Sequence, residues 1–152
     1  MYTIKYVEVK LVKLLFKKQI TGSNPLKVRK LINEMMDCIN AWNPLNEDEY
    51  FEFRLVLNEL ISNGILHGNK GFCNKKVNVA IEEVDSTTLD IFIKDEGQGF
   101  DYKKFYQHPP ECDSLKMSEG GRGLMLVNAL CSKIQFNENG NQVKITKTIC
   151  PK

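Results

Sequence analysis

This 152-residue chain has no set of cysteines arranged for a common purpose. The five it carries, Cys38, Cys73, Cys112, Cys131 and Cys150, form no C-x-x-C pair and are odd in number. That rules out a zinc motif and a disulfide framework, and free thiols in a reducing cytoplasm are the expected state. No secretory leader is expected from the opening residues, and no apolar run approaches the ~20 residues needed to cross a bilayer. An excess of one charge is also missing. The 21 basic and 19 acidic side chains leave a net charge of +2, whereas a dedicated nucleic-acid binder would show a clustered basic face. Histidine is scarce, with only His67 and His108, and Trp42 is the single tryptophan. No repeat, low-complexity tract or long linker divides the sequence, so one domain spanning 1–152 is expected. With 42% hydrophobic and 26% charged residues, the chain can build an ordinary core.

The patterning predicts an α+β fold. The first segment, Tyr2 to Gln19, alternates at Val7, Val9 and Leu11 around Glu8 and Lys10, which suggests a strand. The basic residues Lys13, Lys17 and Lys18 beside Leu14, Leu15 and Phe16 leave an amphipathic surface helix as an alternative. Ser23 or Asn24 can cap a first helix with Pro25 at its first position; Val28, Leu31, Met35 and Ile39 mark its apolar face, and Asn43-Pro44 ends it. A second helix opens at Asn46, with Glu47, Asp48 and Glu49 where the dipole favours acids, and is expected to run to His67 and stop at Gly68. Two strands follow, alternating at Val77, Val79, Ile81 and at Leu89, Ile91, Ile93, with a turn at Asp85-Ser86. From Glu96 to Gly121 the pattern dissolves into a long loop, a length usually associated with function. A short helix over Leu124–Cys131 precedes a terminal hairpin, Lys133–Phe136 and Gln142–Ile149. Helices on one face of a mostly antiparallel sheet make a two-layer sandwich.

Three polar islands interrupt this pattern. In the second helix Glu59, Asn63 and His67 stand at i, i+4 and i+8, on one stripe. A carboxamide there can offer Mg²⁺ an oxygen while the carboxylate one turn away accepts a proton. A solvated polar stripe is the plain alternative. Asp95-Glu96-Gly97-Gln98-Gly99-Phe100 follows a strand directly. Glycine lets the chain turn so that the Asp95 carboxylate enters a cleft and accepts from an exocyclic amine, although Asp and Gly also make ordinary turns. Glu119-Gly120-Gly121-Arg122-Gly123-Leu124 leads into a helix. Its glycines expose N–H groups at a positive helix end and Arg122 adds charge, which suits phosphate; a flexible hinge is the alternative. It matches neither a Walker A loop nor the dinucleotide fingerprint.

Taken in order, these islands resemble the GHKL (Bergerat-fold) ATPases, which include gyrase, the heat-shock chaperone ATPase, histidine kinases and mismatch-repair ATPases. Glu59 and Asn63 match the N-box, Asp95, Gly97 and Gly99 the first glycine box, and Gly121 and Gly123 the second. The likeness spans about residues 20–149. Within the superfamily, Leu57-Asn58-Glu59 through His67-Gly68-Asn69 and Gly120-Gly121-Arg122-Gly123-Leu124 are most similar to the bacterial anti-sigma serine kinases.

The resemblance implies Glu59 as catalytic base, Asn63 as the Mg²⁺ ligand and Asp95 on adenine. His67, Gly97, Gly99, Gly120, Gly121, Arg122, Gly123 and Leu124 would complete the ATP site, beneath a lid over 101–119. It also implies a homodimer that binds a sigma factor and an anti-anti-sigma protein, acting in the cytoplasm without direct nucleic-acid or membrane contact. Two departures stand out. Gly140-Asn141 replaces the usual Gly-Thr, and Ser118-Glu119 puts an acid before the second glycine box. A histidine autokinase is disfavoured, because His67 lies in the N-box helix and His108 in the lid.

Overall fold

A computed structural model of the chain describes residues 11–107 and 119–151, with backbone alone for 105–107 and 119–121. The chain runs β1 (Lys13–Thr21), α1 (Pro25–Trp42), α2 (Glu47–Asn63), a π-helical turn (Gly64–Gly68), β2 (Lys76–Asp85), β3 (Thr88–Asp95), α3 (Tyr102–Gln107), α4 (Glu119–Leu130), β4 (Lys133–Phe136) and β5 (Gln142–Thr148). Every strand pairing is antiparallel, in the order β1-β2-β3-β5-β4. The two-layer α+β sandwich expected from the sequence is present. No helix among the described residues is long and apolar enough to cross a membrane.

Local chemistry sets the element starts. Asn24 accepts from the Leu26 and Lys27 amides at the start of α1, with Pro25 behind it. At α2, Asn46 and Glu49 satisfy each other's backbone amides in a capping box, at 2.8 and 3.0 Å. Leu31, Ile32, Met35, Met36 and Ile39 of α1 and Phe53, Val56, Leu57, Leu60 and Ile61 of α2 are buried against one sheet face. The Met35-Met36 pair is thus core. Facing it are Val77, Val79 and Ile81, Leu89, Ile91 and Ile93, and Val143 and Ile145, the alternate residues of three strands.

Three expectations change, and a fourth falls partly outside the described residues. Val7 and Val9 lie outside the described residues, and Leu11 is exposed outside any strand; the first described strand is Lys13–Thr21. This settles the strand-or-helix ambiguity there, because Phe16 and Ile20 pair with Ile81 and Val77 of β2, with a register shift at Leu15. The second helix does not continue as α-helix to His67. It widens into the π turn after Asn63, and the chain reverses at Lys70 (φ 53°) and Gly71 (φ 70°) rather than at Gly68. The long polar segment is not all loop, since Tyr102–Gln107 is helical. The last helix begins at Glu119, so Gly120, Gly121 and Gly123 sit within its first turns instead of ahead of it.

One buried charge ties the far end of the sheet to the helices. Lys147 of β5 is 4% exposed, and its ammonium donates to Glu52 of α2 and to the Leu130 carbonyl at the end of α4, both at 2.6 Å. A cation at a helix C-terminus is favoured by the helix dipole, and the carboxylate offsets its desolvation. Glu52→Gln should lower stability by about 2–3 kcal/mol in urea unfolding, since it strands that cation, with Lys147→Met milder because the apolar stem can still pack.

Candidate nucleotide site

The site is built where β3 ends beneath the π turn. Leu89, Ile91 and Ile93 point toward the helices, and the same alternation turns Asp95 to that side. A carboxylate on the core-facing side needs room and partners. Room comes from glycine. A Cβ on Gly68 would overlap the Asp95 carboxylate, lying 2.6 Å from its Oδ1, and one on Gly97 would overlap the Gly68 carbonyl oxygen. Gly64 touches the same region more loosely, with its would-be Cβ 3.7 Å from Asp95 Cβ and 3.6 Å from Val77. The Gly97 amide donates to Asp95 Oδ1 at 2.7 Å, and no described donor reaches Oδ2. Burial raises the Asp95 pKa above the ordinary carboxylate value, against the opposing pull of the Gly97 amide and the Lys75 charge.

A second focus lies one turn earlier. A Cβ on Gly123 of α4 would overlap the Glu59 carboxylate and sit 3.8 Å from Asn63 Nδ2. The bare backbone of α4 therefore packs directly on the α2 stripe, bringing Glu59, Asn63 and Gly123 together. Among the described residues, the Glu59 and Asn63 side chains enter no hydrogen bond or ion pair, so their oxygens are uncommitted. Asn63 and Gly64 are sequence neighbours, so the two foci adjoin along the chain where α2 passes into the π turn.

The remaining expected site residues are distributed around these foci. His67 is exposed on the π turn and makes no hydrogen bond among the described residues. Gly99 (φ 82°) packs against the Asn139 carbonyl, and the Phe100 amide donates to the Gly140 carbonyl at 3.3 Å, so the second glycine of its box is occupied in crossing the β4–β5 hairpin. Gly120 and Gly121 lie in the first turn of α4, Arg122 is exposed, and Leu124 is partly buried against the core. Of the expected lid, the 102–107 helix is described; residues 108–118 lie outside the description. Tyr102 stacks on Phe136, which Phe100 meets edge-on, fixing that helix to β4. Asn141, which departs from the usual threonine, accepts from Asn137 Nδ2 at 2.7 Å through its side chain and holds the hairpin.

Sequence reasoning missed Gly64, Gly68 and Asn69. Helical patterning makes Gly68 a helix stop, yet its place in the fold is the space it leaves for Asp95. The available signal was a glycine inside an apolar helical pattern, which carries a cost unless backbone or a side chain must approach closely.

Comparison with known proteins identifies the family. The family model described as "Histidine kinase-like ATPase domain" matches residues 22–147. A serine-protein kinase RsbW from Oceanobacillus iheyensis is 27% identical over 103 residues, covering 64% of this chain and 65% of the relative. The chain thus spans just under two thirds of that protein. An RsbW serine-protein kinase from Staphylococcus aureus is 27% identical over 109 residues, 67% of each chain.

Two variants should separate the glycines. Gly68→Ala drives a methyl into the Asp95 carboxylate and should cost about 1–3 kcal/mol in thermal or urea unfolding. Gly64→Ala meets only ordinary contacts and should be neutral or slightly stabilising. Asp95 gives a pH test. Its folded pKa lies above the unfolded one, so the ionised group costs stability above the folded pKa, and that cost vanishes below the unfolded value. Asp95→Asn should therefore raise the Tm at pH 7, with the gain fading as pH falls toward about 4 and absent below it.

A core-facing aspartate lodged against glycine backbone, an uncommitted Glu-Asn stripe beside a glycine-bearing helix, and a family match across most of the chain agree: this protein belongs to the histidine kinase-like ATPase domain family.

Proposed function

We propose that the chain is an ATP-dependent protein serine/threonine kinase that acts as an anti-sigma factor. In this reading it transfers the γ-phosphate to a serine or threonine of an anti-anti-sigma protein and, as a homodimer in the cytoplasm, sequesters a sigma factor. The observation that carries the reading is the conjunction of Asp95 under Gly68 with Glu59 and Asn63 beside Gly123. One end offers a half-buried acceptor and the other an uncommitted carboxylate and amide. The serine-protein kinases to which the chain is similar supply the reaction class.

Each residue then has a distinct task. Asp95 Oδ2 accepts from the exocyclic amine of adenine, while Oδ1 stays on the Gly97 amide. The amide oxygen of Asn63 would hold Mg²⁺, a hard ion that prefers oxygen ligands. The metal would neutralise developing phosphate charge. The N-terminal turns of α4, with Gly120, Gly121, Gly123 and Arg122, receive the phosphates. His67 and Leu124 border the nucleotide, and residues 101–119 close over it. Glu59 accepts the proton of the attacking hydroxyl as its oxygen bonds to the γ-phosphorus and the bond to the β,γ-bridging oxygen breaks, releasing ADP.

The alternative is an ATP-gated binding module without significant kinase activity, and Glu59 separates the two. Glu59→Gln keeps the side chain's size and should leave nucleotide affinity nearly unchanged. Phosphorylation of the partner should fall by ~10²–10⁴, or less if the transition state is loose. Asn63→Ala should instead weaken Mg-ATP binding itself, read by calorimetry. Phosphotransfer untouched by Glu59→Gln would favour the binding module, and loss of ATP affinity in that variant would contradict the division of labour.

A further inference from the structure

Asn69 has no part in the roles above, yet it is among the few buried polar residues, at 2% exposure. Its carboxamide sits where the β2–β3 ladder stops. The last rung pairs Val77 with Asp95, and the next would pair Lys76 with Glu96. Asn69 takes that place. Its Nδ2 donates to the Lys76 carbonyl at 2.9 Å, and its Oδ1 accepts from the Glu96 amide at 2.8 Å. The Glu96 carboxylate completes the ring by accepting from the Lys76 amide at 2.8 Å. Because one partner is a carbonyl and the other an amide, the orientation of the Asn69 side chain is fixed by its contacts.

The backbone of the same residue closes the π turn. The Asn69 amide donates to the Gly64 carbonyl at 2.8 Å. One residue therefore holds both surfaces that enclose Asp95: the glycine-bearing turn above, through its main chain, and the strand end below, through its side chain. The carboxamide imitates a peptide unit. It ends strand pairing at the rung where Asp95 must leave the ladder, and it anchors the amide of the very next residue, Glu96.

We propose that Asn69 is the positioning residue for base recognition: it fixes the Asp95 carboxylate at the height and angle that select an amine-bearing purine. This rests on the assignment of Asp95 to adenine. Asn69 itself does not touch the nucleotide.

The test compares ATP with inosine triphosphate, which carries a carbonyl in place of adenine's exocyclic amine. Both are titrated with Mg²⁺ into the full chain by calorimetry. The wild type should prefer ATP. In Asn69→Ala, and in Asn69→Asp, which keeps the acceptor but loses the donor, that preference should fall by about tenfold or more, the worth of one hydrogen bond to a charged group. Inosine triphosphate affinity should stay unchanged. A preference that survives while affinity for both nucleotides falls equally would make Asn69 a stability residue and overturn the proposal. A wild type that binds ATP without preferring it would remove the adenine assignment beneath it, a different failure. Should either variant unfold, the wild type gives a second readout. The Asn69 side-chain NH₂ resonances should exchange slowly with solvent and shift more with ATP than with inosine triphosphate. Fast exchange, or equal shifts with the two nucleotides, would contradict the inference.

Discussion

The arrangement depends on one steric constraint: a carboxylate on the core-facing side of a strand can be tolerated only where the backbone opposite has no side chain. Asp95 follows Leu89, Ile91 and Ile93 in alternation, so its direction is dictated by the sheet. What makes that direction useful is Gly68 on the π turn, with Gly97 closing from the other side. Burial raises the carboxyl pKa, and the Gly97 amide and Lys75 hold that rise in check. The result is an acceptor kept partly out of water, where a ligand donor counts for more than on an open surface.

The π turn is what allows helix, strand and loop to meet at this point. Ending the α-helical ladder at Asn63 lets Gly64–Gly68 spread, and the Asn69 amide then returns to the Gly64 carbonyl. Such widened turns are rare and cluster at functional sites. On the other flank the same helix meets α4 through Gly123, so α2 carries an uncommitted stripe while its opposite face stays packed in the core. Rigid burial of Phe53, Leu57, Leu60 and Ile61 on one side is what makes precise presentation of Glu59 and Asn63 possible on the other.

Much of this was legible in the sequence, for local reasons. Alternation at Val77–Ile81 and Leu89–Ile93, the caps at Asn24 and Asn46, and the three polar islands all depend on neighbours a few residues away, and the resemblance to the GHKL family rested on those islands. What escaped depends on distant contacts. Nothing near Gly68 in sequence announces Asp95, 27 positions later. The widening after Asn63 follows from tertiary hydrogen bonds that no helical periodicity encodes. Around Lys13–Phe16 the basic and apolar residues leave a surface helix as an alternative to the strand until β2 is beside them.

On the proposed function, nucleotide binds between Asp95 under Gly68 and Asn63 beside Gly123. A separate groove of about 350 Å³, lined by Arg29 of α1 and by Arg54, Asn58 and Ser62 of α2, offers a rival location on the same molecule. Titrating Mg-ATP into isotope-labelled protein and following backbone amide shifts distinguishes them directly. The account predicts the largest changes at Asn63, Gly64, Gly68, Asp95–Gly97 and Gly123, with the Arg29 and Arg54 groove quiet. Shifts concentrated in that groove, or none at millimolar nucleotide, would contradict it.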